Sequence, residues 1–203
     1  MVFILDDDKW VRYHMTMLLQ AAGYATKSFA SGEEFFTQEV PTGPCCLLLD
    51  VNLMGRLDGL AVQSRLTGLG WALPIIFITA YATVPLTVRA LKAGAEDLLI
   101  KPVEAEVILP AVERAMARSR EQRGKQRELT ESRELIARLT EREQEVLTWV
   151  IAGTLNKQTA AMMGISERTV KAHRASIMEK LNIASLAELV RLADKAGVSP
   201  RSK

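Results

Sequence analysis

Cysteine is almost absent from the 203 residues: the only two are neighbours, Cys45 and Cys46. Adjacent positions of an extended segment point to opposite faces, which argues against a disulfide between them and for a reducing, cytoplasmic setting. With no C-x-x-C pair and only two histidines, His14 and His173, far apart in the chain, a cysteine metal centre has no support. Both thiols are expected as small core residues. No stretch approaches the roughly 18 consecutive apolar residues of a membrane-spanning helix, so no membrane partner is expected. The early apolar run Val2-Phe3-Ile4-Leu5 passes straight into Asp6-Asp7-Asp8, which fits no signal peptide. Internal repeats and low-complexity tracts are missing too.

What is present is globular. Hydrophobic residues at 48% and charged residues at 25% exclude wholesale disorder and collagen-like or mucin-like composition. The length allows one large domain or two small ones, at roughly 100 to 200 residues each. A net charge of +2 conceals a division along the chain. Residues 1–103 carry 8 basic and 10 acidic side chains, whereas residues 156–203 carry 9 basic and 4 acidic ones. The basic end is therefore the place to look for a polyanionic partner.

Short apolar runs alternate with helical patterns through the first half. Strand-sized runs lie at Val2 to Leu5, Ala25 to Phe29, Cys46 to Leu49, Ile75 to Ile78 and Leu98 to Ile100. Between them, apolar residues recur at three- and four-residue spacing over Lys9 to Ala22, Ser31 to Val40, Gly59 to Leu69, Val84 to Ala93 and from Val103 onward. Five strand–helix units predict an α/β fold with a five-stranded parallel sheet covered on both faces, since runs such as Ile75-Ile76-Phe77-Ile78 suit burial from two sides. From about Arg114 to Arg138 charge dominates and Gly124 interrupts, which reads as a helical linker, and Pro110 is expected to kink or delay a helix beginning near Glu104. Four helix-sized segments follow: Glu141 to Ala152, Asn156 to Met163, Glu167 to Leu181 and Ser185 to Ala196. Thr140 with Glu143 reads as a capping box, Asn156 and Ser166 as N-caps, and Gly164 as a helix stop. Trp10 and Trp149 fall on helices, where packing is the default expectation.

In open parallel sheets, ligands sit outside the carboxyl ends of the strands, where strand order reverses. The first strand ends in Asp6-Asp7-Asp8, the third in Asp50, the fourth in Thr79 and the fifth in Lys101. Clustered carboxylates repel one another, and a bound Mg²⁺ removes that cost while creating a phosphoryl-transfer site. Any one of these residues alone would pass for a cap, a strand end or a surface lysine; the joint pattern does not. Over residues 1 to about 118 it resembles the receiver domains of two-component response regulators. The resemblance implies a flavodoxin-like (CheY-like) doubly wound fold. It implies that Asp50 accepts a phosphoryl group from a histidine kinase. Asp6, Asp7, Asp50 and the main-chain carbonyl of Asn52 would hold Mg²⁺, Thr79 and Lys101 would read the phosphate, and Lys101-Pro102 would be cis. Three departures stand out. The loop from Val51 to Leu57 is one residue longer than usual, with Met54 in the place of a typical proline, and Leu98 replaces the aromatic residue that usually changes rotamer on activation.

Within Leu139 to Ala193, the runs L-T-E-R-E-Q-E-V-L, N-K-Q-T-A and G-I-S-E-R-T-V-K-A-H-R-A-S-I-M-E-K-L resemble the LuxR-type helix-turn-helix. That implies an all-α, four-helix module with Asn156 to Met163 crossing the DNA backbone and Glu167 to Leu181 in the major groove. By helical spacing Val170, Ile177 and Leu181 face inward, leaving Arg168, Lys171, Ala172, Arg174 and Ala175 mostly outward. Lys171 and Ala172 are the candidates for base edges, the lysine toward guanine and the alanine toward a thymine methyl. Lys157, Thr169 and Arg174 suit phosphate contacts, and His173 a packing or phosphate role. The last helix, with Leu186, Leu189, Val190 and Leu192, has apolar surface to spare for a dimer contact.

The whole reads as a receiver (residues 1–118), a helical linker (119–138) and a DNA-binding domain (139–203), similar to response regulators of the NarL/FixJ group and FixJ-like in linker and receiver style. The function expected is transcription control rather than enzymatic turnover, with phosphorylation at Asp50 governing homodimerisation and binding to promoter half-sites. The expected partners are duplex DNA, a cognate histidine kinase and RNA polymerase. Two alternatives remain at this point: a Mg²⁺-dependent phosphatase with Asp6 as nucleophile, disfavoured by Trp10, and a receiver whose output acts on protein or RNA.

Overall fold

The computed structural model describes residues 1–39 and 42–201, which form two compact units, Met1–Arg123 and Gly124–Lys203. The first is built on five parallel strands, β1 (Val2–Leu5), β2 (Thr26–Phe29), β3 (Cys46–Asp50), β4 (Ile75–Thr79) and β5 (Asp97–Ile100), in the order β2-β1-β3-β4-β5. The chain leaves β1 toward one edge and returns to fill the other, so strand order reverses between β1 and β3. That is the crevice where α/β sheets bind ligands, and Asp6 and Asp50 end the two strands that flank it.

Successive strand residues separate into two cores. Val2, Ile4, Cys46, Leu48, Ile76 and Ile78 face α1 (Lys9–Ala21) and α5 (Ala105–Ile136), whose Met15, Leu19, Ile108 and Val112 join them. Phe3, Leu5, Cys45, Leu47, Leu49 and Phe77 face the other way, toward α2 (Gly32–Phe35), α3 (Gly59–Gly68) and α4 (Val84–Lys92). The adjacent thiols thus lie in different cores, buried and free, and burial pushes the Cys46 thiol up to about 12. A strand buried on both faces needs no polar alternation, which is why these segments read as unbroken apolar runs.

Three expectations are corrected in this unit. The second helix is a single turn, Gly32–Phe35, capped by Ser31; its expected continuation ends at Val40, which lies outside the described residues. The fifth helix begins at Ala105 and runs through Pro110 without delay. Ile108, Ala111, Val112 and Ala115 are wholly buried around that proline, and their packing outweighs the roughly 3 kcal/mol of a proline inside a helix. Trp10 does not pack: it is 69% exposed, with the Lys9 ammonium 5.2 Å from its ring.

The second unit comprises the end of α5, α6 (Glu141–Ile151), α7 (Asn156–Met163), α8 (Glu167–Lys180) and α9 (Leu186–Ala196). Its core gathers Ile136, Leu139, Val146, Leu147, Val150, Val170, Ile177, Leu181 and Leu189. Ser166 caps α8, and Gly164 ends α7 at φ 65°. Asn156 is not a cap; Leu155 holds that position, and Asn156 Oδ1 instead accepts a hydrogen bond from Arg174.

A buried polar knot ties α6 to α8. The carboxylate of Glu143, 4% exposed, closes the capping box with Thr140 and also accepts from Ser176 (2.7 Å) and Lys180 (2.7 and 2.8 Å). The Lys180 hydrogen bonds, helped by Ser176 and Thr140, hold its pKa down to about 2 against the opposing effect of burial. Glu143→Ala would take the shared acceptor from Thr140, Ser176 and Lys180, of which Thr140 and Lys180 are exposed and can turn to water, and we expect a loss of roughly 1–2 kcal/mol in denaturant unfolding. Because the folded-state pKa is depressed, the wild-type contribution is present above about pH 4.5 and fades as pH falls toward 2, so the difference between variant and wild type should shrink in acid.

Candidate functional site

At the switch point three carboxylates converge. Ligand atoms of Asp6, Asp7 and Asp50 all lie within 4.8 Å of one another. Asp6 and Asp50 are buried, and the Lys101 ammonium bridges them at 2.6 Å to each. The remaining oxygens of both are aimed by main chain: Asp6 Oδ1 accepts from Asp8 N–H at 2.9 Å, and Asp50 Oδ1 accepts from Asn52 N–H at 3.0 Å. Burial raises the Asp6 pKa by more than Lys101 and the Asp8 N–H lower it. Burial also works against the charge of Lys101, yet its hydrogen bonds to Asp50 and Asp6 prevail and its pKa is raised. Among the described residues Asp7 makes no protein hydrogen bond through its carboxylate.

Thr79 is wholly buried at the end of β4. Its hydroxyl closes a small ring with the next turn, donating to the Tyr81 carbonyl and accepting from the Tyr81 N–H, both at 3.3 Å. Lys101 N–H donates to the Thr79 carbonyl at 2.8 Å, which locks the last two chemical residues side by side, and the Lys101-Pro102 peptide is cis. Leu98 packs against the α2–α4 core. The long loop after Asp50 is pinned: Val51 and Leu53 are buried, Gly55 turns at φ 138°, and Arg56 N–H donates to Glu33 of α2. Met54 stands out in solvent, 79% exposed, and Asn52 is exposed beside it.

Sequence reasoning passed over two contributors. Arg12, on the first turn of α1, reaches back with one guanidinium nitrogen to the carbonyls of Asp6 (2.7 Å) and Asp7 (2.9 Å). An arginine four residues past an acidic helix cap, on the face that overhangs the strand tip, was the available signal. Gly59, opening α3, presses on the main chain of Asp50 so closely that an added Cβ would lie 2.3 Å from its carbonyl oxygen. Its pairing with the cap residue Asp58 was the signal there.

In the second unit α7 and α8 are joined by a turn at Gly164 and Ile165. Val170 and Ile177 point inward; Arg168, Lys171, Ala172 and Ala175 are exposed, as is Lys157 on α7. Lys171 pairs with Glu167 at 3.0 Å. Thr169, His173 and Arg174 are half-buried: Thr169 closes the Ser166 cap, and Arg174 holds Asn156 at 3.1 Å, so Arg174 is less outward than its spacing implied. No helix of the described residues is long and apolar enough to cross a membrane.

Comparison with known proteins follows the same division. A model of the response regulator receiver domain matches residues 2–113, and one of the bacterial regulatory proteins of the luxR family matches residues 137–193. The chain is 40% identical to Nodulation protein W of Bradyrhizobium diazoefficiens across 98% of its own length and 87% of that protein's. It is 39% identical to Transcriptional regulatory protein FixJ of Azorhizobium caulinodans, across 98% and 94%. Among solved structures, response regulator StyR superposes with a TM-score of 0.84 at 42% identity, covering 96% of this chain and 98% of that one.

Proposed function

Because the chain belongs to the two-component response regulators that join a receiver domain to a luxR-family DNA-binding domain, we propose that Asp50 is its phosphoryl acceptor and that phosphorylation there controls how residues 139–203 engage duplex DNA. The observation that carries this is the convergence of Asp6, Asp7, Asp50 and Lys101 in one crevice. Receiver domains bind Mg²⁺ at such an acidic pocket, and three carboxylates within 4.8 Å fit that ion. Asp6, Asp7 and Asp50 would hold it, with the Asn52 carbonyl, and it would offset negative charge on the transferring phosphoryl group.

The chain's own residues do the rest. An Asp50 oxygen attacks the phosphorus of a phosphohistidine on the cognate kinase; the P–N bond breaks, the P–O bond forms, and the imidazole leaves with its electron pair and takes up a proton. Lys101 is a fixed cation already within 2.6 Å of Asp50 and moves little to meet a phosphoryl oxygen. The product carries about 1.5 to 2 extra negative charges, which draw the Thr79 hydroxyl away from Tyr81. The turn over residues 80–83 is thereby released, and with it the start of α4. A preference of one arrangement for dimerisation or for free α8 then couples phosphate to DNA. Exposed Val84, Val88 and Leu91 of α4 and Leu186 and Val190 of α9 supply faces for a homodimer, two half-sites being read by two copies. RNA polymerase is the natural recipient of the output.

On the groove face, Lys171 and Ala172 would read bases, while Lys157, Arg168, Thr169, His173 and Arg174 would meet phosphates or support those that do. Selection from a random duplex pool, with and without a beryllofluoride phosphate mimic, is expected to enrich one motif more strongly with the mimic, with binding that weakens steeply as salt rises. Lys171→Ala should weaken that motif by about 1–3 kcal/mol and relax one base position. Enrichment of no duplex at all would turn the output toward protein or RNA; unchanged specificity in Lys171→Ala would remove it from the groove.

A further inference from the structure

The ladder of β1 ends with Asp6, whose N–H donates to Phe29 at 3.3 Å. Past that bond no strand holds the main chain, yet the next two residues must aim the carboxylates of the pocket. Asp8 is secured as the cap of α1, its side chain accepting from Trp10 N–H and its carbonyl accepting from Arg12 N–H. The carbonyls of Asp6 and Asp7 have no place in the helix ladder, and the Arg12 guanidinium takes both, at 2.7 and 2.9 Å from a single nitrogen. Arg12 is anchored in turn by α1, whose Met15 and Leu19 are buried against the sheet.

The carboxylates differ in how far they depend on this grip. Asp6 is held through both oxygens, by Asp8 N–H and by Lys101. Asp7 has no such side-chain partner among the described residues, so its direction is set by its backbone alone, and the grip on that backbone is Arg12. The guanidinium forms no ion pair with Asp6, Asp7 or Asp50 among the described residues; it is spent on carbonyls. We infer that Arg12 is a positioning residue for the divalent-cation pocket, fixing the turn so that Asp6 and Asp7 face Asp50, without itself touching cation or phosphate. This rests on the cation pocket of the reading above and adds a residue to it. The groups behind metal ligands commonly govern affinity by one to two orders of magnitude, because they hold donors in place before the ion arrives.

A positioning role and a purely electrostatic one predict opposite signs. If Arg12 acted as a nearby positive charge, removing it would deepen the negative potential and tighten Mg²⁺, while Arg12→Lys would change nothing. If it acts by holding the two carbonyls, Arg12→Lys fails as well, since the lysine ammonium ends one bond short of the single nitrogen that meets both oxygens. Titration calorimetry of the full chain with Mg²⁺ alone is therefore expected to give dissociation constants about 10- to 100-fold weaker for both Arg12→Gln and Arg12→Lys. Phosphorylation by acetyl phosphate should show the same displacement in half-saturating Mg²⁺, with the deficit removed as Mg²⁺ is raised; a turn that had merely collapsed would keep its deficit at every concentration. Thermal melts of the variants without Mg²⁺ identify any that do not fold, and Arg12→Lys, the milder change, then decides. Tighter binding in Arg12→Gln, or wild-type binding in Arg12→Lys, overturns the positioning role and leaves the pocket intact. Absence of saturable Mg²⁺ binding in the wild type would overturn the pocket reading and this one with it.

Discussion

Asp50→Asn is expected to end phosphorylation without unfolding the protein. The amide matches the carboxylate in shape and keeps an oxygen for the Asn52 N–H, a bond of 3.0 Å in the wild type. It is no nucleophile, however, and it brings no negative charge to the Mg²⁺ pocket. Incubation with acetyl phosphate and Mg²⁺ should add one phosphoryl mass to the wild type and none to the variant, a drop in rate of roughly 10³-fold or more. Stability should change little, because two effects oppose. Lys101 loses one of its two charged partners, while Asp6 loses the like charge of Asp50, one of the influences that raise its pKa. The variant's DNA affinity should then be indifferent to the phosphodonor. A phosphoryl mass that persists in Asp50→Asn would place the acceptor on another residue, with Asp6 and Asp7 the next to examine, and would undo the mechanism.

Much of this pocket is legible without coordinates, and the reason is topological. In a parallel sheet the C-terminal ends of all strands lie on one side, so residues that follow apolar runs must gather there whatever their separation in sequence. Asp6, Asp50, Thr79 and Lys101 are spread over 95 positions, yet each follows such a run, and alternation of the two cores guarantees the rest. Two helix starts are legible for a similar local reason, Thr140 and Ser166 each accepting the expected N–H of the turn they cap, and Ser31, Asp58, Thr83 and Ser185 do the same in the structure.

Failures occur where a side chain answers to partners distant in the chain or to none. Trp10 has helical spacing and apolar character, but nothing on the sheet reaches the face of α1 it occupies, so it stands in solvent. Asn156 has the composition of a cap, and Arg174, eighteen residues later, captures it instead. Pro110 obeys local rules that predict a break, and wholly buried neighbours override them. Arg12 was passed over because its partners are carbonyl oxygens, which every residue possesses, and its place four residues past the Asp8 cap was a faint signal beside the carboxylates. The extra residue in the loop after Asp50 leaves no visible slack, since Glu33 pins the loop from α2, a contact across 23 residues that local pattern does not encode.

Gly59→Ala should produce the second large effect, through Asp50 rather than through the helix it opens. A Cβ there would lie 2.3 Å from the Asp50 carbonyl oxygen and 2.8 Å from Val51 Cα. Both are main-chain atoms, so no rotamer can relieve the overlap, and either the tip of β3 or the start of α3 must move. The β3 tip is also gripped by Gly59 N–H, which donates to the Val51 carbonyl at 3.0 Å. A shift of order an ångström would draw the Asp50 carboxylate out of reach of Lys101, now 2.6 Å away, and misplacement on that scale lowers transfer rates by about 10²-fold. Overpacking should also destabilise this unit by roughly 1–3 kcal/mol. Gly68, at the other end of the same helix, supplies the control: a Cβ there meets nothing within 4 Å, so Gly68→Ala should leave phosphorylation unchanged and raise stability by up to about 1 kcal/mol. Phosphorylation rates for the two alanine variants at saturating Mg²⁺, read beside their unfolding midpoints, separate the site from the helix. Equal rates would mean that the main-chain contact at Gly59 does not set the position of the acceptor carboxylate.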